Sequence, residues 1–347
     1  MKKILIVILF GFWSSANGKT FKIDDYVSTV SGFITYTHSS YDSISPSNDY
    51  SAIVNTTVSN DYGYISGQFS TNKYNPVRRL LVDIPIYVHG CNQIDIAFGR
   101  LTNSIGFINT NLHNSQVNGS ILLPLSTYDP RRYTNLPDIT DGGQITYTAS
   151  LEHINLKIRG YAGKQVLDNP VIDVYGSNFG LIGKSDRMFG VDISAVFNTN
   201  TTIHYAFTDN VGTAERTIPP NIINNIDTNL LQQIHFFGFQ HYIDEFKIQG
   251  EATYRKLNTT SDETGGNLSL SYNFKDNWDI YVGGSYGSRI SDDSTMWDGY
   301  TGVSNTFHDI TMTLELHRIS LNKWYFDYNQ PDKKTIPMVL FSITYSF

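Results

Sequence analysis

The sequence predicts an all-β protein, an antiparallel up-and-down barrel of about sixteen strands, from three observations. Apolar residues alternate with polar ones through most of the chain, the period that gives a strand one apolar and one wet face. Aromatic residues make up 14% of the sequence, with 23 tyrosines and 20 phenylalanines, a composition suited to pleated surfaces and aromatic girdles. The connections alternate short and long, as they do when tight turns gather at one end of a barrel and long loops at the other.

The first eighteen residues read as an export signal rather than as structure. Lys2 and Lys3 form a basic start, Ile4 to Trp13 an apolar core, and Ala16-Asn17-Gly18 a small-residue cleavage site. The apolar run is shorter than the roughly twenty residues of a spanning helix. A signal peptide over 1–18 and a barrel over 19–347 are therefore expected. The net charge is −7, two units more negative without Lys2 and Lys3, which argues against nucleic acid as a partner. Cys91 is the single cysteine, so no internal disulfide can form.

The strands follow in order. Val30, Gly32, Ile34 and Tyr36 share one parity, as do Ala52, Val54, Thr56 and Val58. Tyr62 to Ser70 is a third strand, then come segments centred on Ile84, Ile96, Tyr147, Ile158, Ile193 and Tyr205. Leu230 to Tyr242 is aromatic on both parities and its register stays open. The remaining segments centre on Gly250, Leu270, Ile280, Leu314, Phe326 and Ile343. Pro85 falls inside its strand, where a missing N–H predicts a bulge. Tight turns are expected at Asn60-Asp61, Gly90 to Asn92, His153, Asn198 to Asn200, Asp244-Glu245, Asp276-Asn277 and Leu321-Asn322. Long links are expected between them, including Gly212 to Asn229 and Ile290 to Thr306.

The link from Leu101 to Gly142 breaks this rhythm. Loops longer than roughly fifteen residues inside an ordered domain are usually functional or disordered, and a functional one is expected here. It carries Asp129, Arg131, Arg132, Asp138 and Asp141, with an apolar run from Ile121 to Leu125. If the apolar parity faces lipid, the opposite parity lines water and holds Arg79, Asp83, Glu152, Lys157 and Arg159, among others. Arg79, Lys157 and Arg159 are candidates for a basic cluster opposite the loop acids, setting a transverse field. Arg100 has the lipid-facing parity, and a bulge at Gly99 would turn it inward.

Catalytic and metal motifs are weak. Gly283-Gly284-Ser285-Tyr286-Gly287 matches G-x-S-x-G, but that motif needs a strand-to-helix turn and this one lies within an alternating strand. The histidines are scattered without metal-ligand spacing, and no cofactor fingerprint is present.

The terminal Ile343-Thr344-Tyr345-Ser346-Phe347 resembles the C-terminal strand of Gram-negative outer-membrane barrels, and the whole chain after the signal resembles a sixteen-stranded porin of the general type. The resemblance implies outer-membrane lipid and lipopolysaccharide as surroundings, recognition of Phe347 by the barrel-assembly machinery, a homotrimer, and loop 101–142 folded into the lumen. Gly106-Phe107 matches part of that family's loop signature, but no acidic residue follows until Asp129, and Arg131 and Arg132 stand at the tip. The family's weak preference for cations is therefore not carried over. The resulting expectation is a non-enzymatic channel for small hydrophilic solutes and ions. A barrel hydrolase and a barrel that binds or adheres through its loops are the alternatives from other classes.

Overall fold

A computed structural model describes residues 19–23, 25–40, 48–71, 77–103, 139–165, 171–173, 180–218, 222–257, 262–274, 277–289, 294–322 and 334–347. The strands are β1 (Lys19–Ile23), β2 (Tyr26–Ser39), β3 (Asn48–Asn60), β4 (Gly63–Ser70), β5 (Val77–His89), β6 (Asn92–Thr102), β7 (Ile139–Ser150), β8 (Ile154–Gln165), β9 (Val171–Asp173), β10 (Gly180–Phe197), β11 (Thr201–Ile218), β12 (Ile222–Ile243), β13 (Phe246–Leu257), β14 (Glu263–Phe274), β15 (Trp278–Arg289), β16 (Ser294–Phe307), β17 (Ile310–Asn322) and β18 (Lys334–Ser346). Sixteen of them, all but β1 and β9, pair antiparallel with their neighbours, and β18 returns to β2. Closure removes both sheet edges, the condition under which strands can cross a bilayer with every backbone group paired. No described helix is long and apolar enough to cross a membrane, which says nothing of strands.

Outward side chains form the apolar belt. On β17, Ile310, Met312, Leu314 and Leu316 are all exposed, while the intervening Thr311, Thr313, Glu315 and His317 are buried. The same alternation fixes the register of β12, which the sequence leaves open: Ile234 and Phe236 are buried inside, and Phe237 is exposed outside. Pro85 lies at a bulge, since the β5–β6 register shifts between Pro85 and Tyr87.

The seam closes on the last residue. Gly32 N donates to the Phe347 carbonyl at 2.8 Å, and Phe347 N donates back at 2.9 Å. A Cβ on Gly32 would stand 2.4 Å from the Ile53 carbonyl oxygen and 2.6 Å from Phe347 Cζ, and because the first of these is backbone the glycine is required here. β1 pairs with the lower half of β2, where β18 has already ended. A Gly32→Leu variant is expected to lose about 1–3 kcal/mol through overpacking. The midpoint of urea unfolding in lipid vesicles checks this, with the heat-shifted gel band as the measure of folded protein.

Three sequence expectations about the strands are corrected. Ser294–Phe307 is strand β16 rather than part of a long link, and the tight turn that follows is His308-Asp309, with His308 at φ 54°. Its outward face, Trp297, Gly299, Thr301, Val303, Asn305 and Phe307, mixes glycine and polar residues, so apolar alternation is lost. Leu321-Asn322 then belongs to β17 instead of a turn. The segment around Phe326, read from the sequence as a strand, lies outside the described residues. Gly212 to Asn229 is likewise mostly strand, since β11 and β12 pair up to Ile218 and Ile222 with a register shift between Ala214 and Arg216.

Candidate functional site in the barrel interior

Charges inside the barrel are held by cross-strand register. Arg159 and Asp192 stand opposite each other on β8 and β10. The Arg159 guanidinium donates to Asp192 Oδ2 at 2.5 Å and to the Thr102 carbonyl at 2.9 Å. Both side chains are nearly closed to solvent, 9% and 5% exposed, and the guanidinium lies 5.5 Å from the centre of the Tyr161 ring. Tyr161 shares a hydrogen with Thr208 at 2.6 Å. Further round the wall, Tyr64 donates to Asp83 at 3.0 Å. Arg79 occupies the inward register position opposite Gln68. Lys157 shares the inward parity of Arg159, two residues away, and remains exposed.

A second cluster lies across the barrel on β13 to β17. Glu315 accepts from Tyr281 Oη at 2.6 Å and faces His317 Nε2 at 3.0 Å, while His317 Nδ1 is 3.1 Å from Asp298 Oδ1. One imidazole can serve two carboxylates only by donating from both nitrogens. Tyr300 stacks on the His317 ring with centroids 5.4 Å apart. Tyr281 pairs with Gly302, and Tyr300 with Gly283. Each ring covers the glycine opposite, leaving no room there for a Cβ. Above this cluster, Glu263 accepts from Arg255 at 3.1 Å and from Arg289 at 3.3 Å, and Asn267 donates to Glu251 at 2.8 Å.

Not all of the inner face is polar. Ile319, Ile336, Met338 and Leu340 point inward and are at most 2% exposed, so the sector of β17 and β18 that carries them is not lined by open water. In the sequence this patch is a run, Met338 to Phe341, that is apolar on both parities rather than alternating.

The predicted site residues separate into groups. Arg79, Asp83, Lys157 and Arg159 share the inward face, while Glu152 sits exposed in the tight turn after β7. Its strand has ended, so parity no longer orients it toward the wall. Arg100 and Asp141 are register partners on β6 and β7 with the outward parity of Phe98 and Ile145. They form a two-bond pair at 2.7 and 2.8 Å. The register passes through Gly99 without a shift, so the expected inward turn of Arg100 does not occur. Asp141 belongs to a strand rather than to the long loop. Asp129, Arg131, Arg132 and Asp138 lie outside the described residues. Sequence reasoning missed Glu263, Arg289, Asp298 and His317 as interior charges. Their signal was available: opposite charges at inward parity on adjacent strands.

Ser285 of the G-x-S-x-G match faces Asn267 and Asp298 in the middle of β15. Its Oγ makes no hydrogen bond, and the nearby His317 already has a carboxylate at each nitrogen. No described group of three or more His, Cys, Asp or Glu is arranged to hold a metal.

No protein-family model and no curated protein matches the sequence. Solved structures do match in fold. OmpT of Vibrio cholerae in its trimer form, an outer-membrane protein folded in vitro, aligns with a TM-score of 0.61 at 12% identity, covering 93% of this chain and 100% of that one. The anion-selective porin from Comamonas acidovorans gives 0.60 at 11% identity over 93% and 100%. The outer-membrane channel DcaP of Acinetobacter baumannii gives 0.57 at 12% identity over 94% and 99%. The chain therefore has the closed sixteen-stranded fold of outer-membrane porins.

Proposed function

We propose that this protein is an outer-membrane porin of a Gram-negative bacterium, passing small hydrophilic solutes and ions by passive diffusion without bond chemistry. The observation that carries the reading is the two-faced wall: a closed barrel with an exposed apolar belt outside and charged groups inside, among them the exposed Lys157. Selection in such a channel is steric and electrostatic.

In this reading residues 1–18 are a signal peptide and the tight turns are periplasmic. The loop within 101–142 folds into the lumen, bringing Asp129, Arg131, Arg132 and Asp138 towards the wall charges. Phe347 is the residue read by the assembly machinery, and the trimer form among the similar structures supports a homotrimer. Planar-bilayer recording of the purified protein is expected to give discrete conductance steps. Arg131→Ala combined with Arg132→Ala is expected to move the reversal potential in a salt gradient towards cation selectivity.

The buried inward residues Ile336, Met338 and Leu340 favour one second reading, a barrel closed inside whose loops bind a partner. Correctly folded protein that gives no conductance step would establish that reading over the first.

A further inference from the structure

We infer that the outer face of β14 to β16 carries a binding groove for lipid A of the surrounding lipopolysaccharide, with an acyl chain in the groove and a phosphate on Arg318. Outward positions on neighbouring strands place small residues side by side: Gly284 is the register partner of Gly299, and Gly299 of Arg318. Without side chains at Gly266, Gly284 and Gly299, the belt opens into a depression of about 750 Å³. Leu268, Tyr286 and Trp297 stand around it and are 62%, 54% and 41% exposed. Glu251, Asn267, Ser285 and Asp298 also line it, but their side chains have the inward parity and their backbone completes the floor. Apolar walls on such a floor suit a hydrocarbon chain, which packs by dispersion.

Arg318 fixes the chemistry of the other end. It is outward and exposed, and it is the first charge on the outward face of β17 above the apolar Ile310, Met312, Leu314 and Leu316. Its register partners are Gly299 and Pro337, and Leu316 and Ser320 are the next outward residues on its own strand, so no carboxylate adjoins it in the ladder. A guanidinium at the boundary of the belt matches a phosphate, which it can hold through two parallel hydrogen bonds. With the tight turn before β17 at the periplasmic side, Arg318 lies at the outer leaflet, whose phosphate-bearing lipid is lipopolysaccharide. The assignment rests on the orientation given under the proposed function but not on transport.

Binding of purified lipid A to the detergent-solubilised full chain, read by native mass spectrometry, tests the site. Gly299→Leu fills the floor with little strain, since a Cβ there meets only Trp297 Cζ3 at 3.8 Å. Arg318→Gln removes the charge and leaves the groove. Each variant is expected to weaken lipid A binding about ten-fold, the worth of one charge-assisted hydrogen bond or a few buried methylenes. Phosphatidylglycerol is expected to bind more weakly and to respond less to Arg318→Gln. Heat-shifted migration on gels verifies folding of both variants. Equal lipid A binding in wild type and both variants would overturn the site. Dissociation of an oligomer by Gly299→Leu with lipid A binding unchanged would overturn it too, assigning the groove to a second copy. Conductance recorded from the same wild-type preparation reports on the channel separately, so each reading can fail without the other.

Discussion

An Asp192→Ala variant is expected to lose about 3–5 kcal/mol of folding stability, because it leaves the Arg159 guanidinium buried without its counter-charge. The pair is nearly closed to solvent, and the contacts of Arg159 to the Thr102 carbonyl and the Tyr161 ring hold the cation where it is. Asp192→Asn keeps an acceptor oxygen and is expected to lose less. Replacing both partners with apolar residues, Arg159→Met with Asp192→Leu, is expected to recover most of the loss, since neither charge is then desolvated. Unfolding in urea with the protein in vesicles measures all four proteins. A single Asp192→Ala variant as stable as wild type would mean that water reaches Arg159 from the lumen and that the pair is not a dry one.

The largest effect on transport is expected from Lys157. It is the inward basic residue of this sector that remains exposed, whereas Arg159 is neutralised by Asp192. Lys157→Glu is expected to raise the cation-to-anion permeability ratio several-fold, the size of a two-unit change acting across about 8 Å of water. Glu315→Gln is expected to change it little, because Glu315 is fully buried and already engaged by Tyr281 and His317. Reversal potentials in a salt gradient compare the two. A larger shift from Glu315→Gln would place the ion path along β17 instead of along β8.

The legible part of this molecule was its outside. Lipid demands one continuous apolar face, so period-two alternation located most strands, and Pro85 announced its bulge. The strand that failed, β16, has glycines at outward position 299 and inward position 302, and its apolar residues fall on both parities. β16 is held by its ladder with β15 and β17 rather than by its own pattern. The interior was harder to read because its charges depend on a partner one strand away. Arg159 was found by parity, but its neutralisation by Asp192 is a matter of register between β8 and β10. The parity of Arg100 was readable. The bulge invoked to turn it inward was not needed, because Asp141 satisfies it on the outer face. The apolar inner patch at Ile336, Met338 and Leu340 shows in the sequence only as an apolar run on both parities, in which Val339 and Phe341 supply the outward pattern.

The strands β10, β11 and β12 run for 18, 18 and 22 residues, longer than any others in the barrel. At about 3.3 Å per residue and a tilt of about 40°, eighteen residues rise roughly 45 Å against a belt about 25 Å tall. Among the described residues the hydrogen-bonded sheet is therefore cut obliquely, standing as a parapet along β10 to β12. In the orientation given under the proposed function, a large particle nearing the cell from the side of β10 to β12 meets ordered sheet well before it meets lipid.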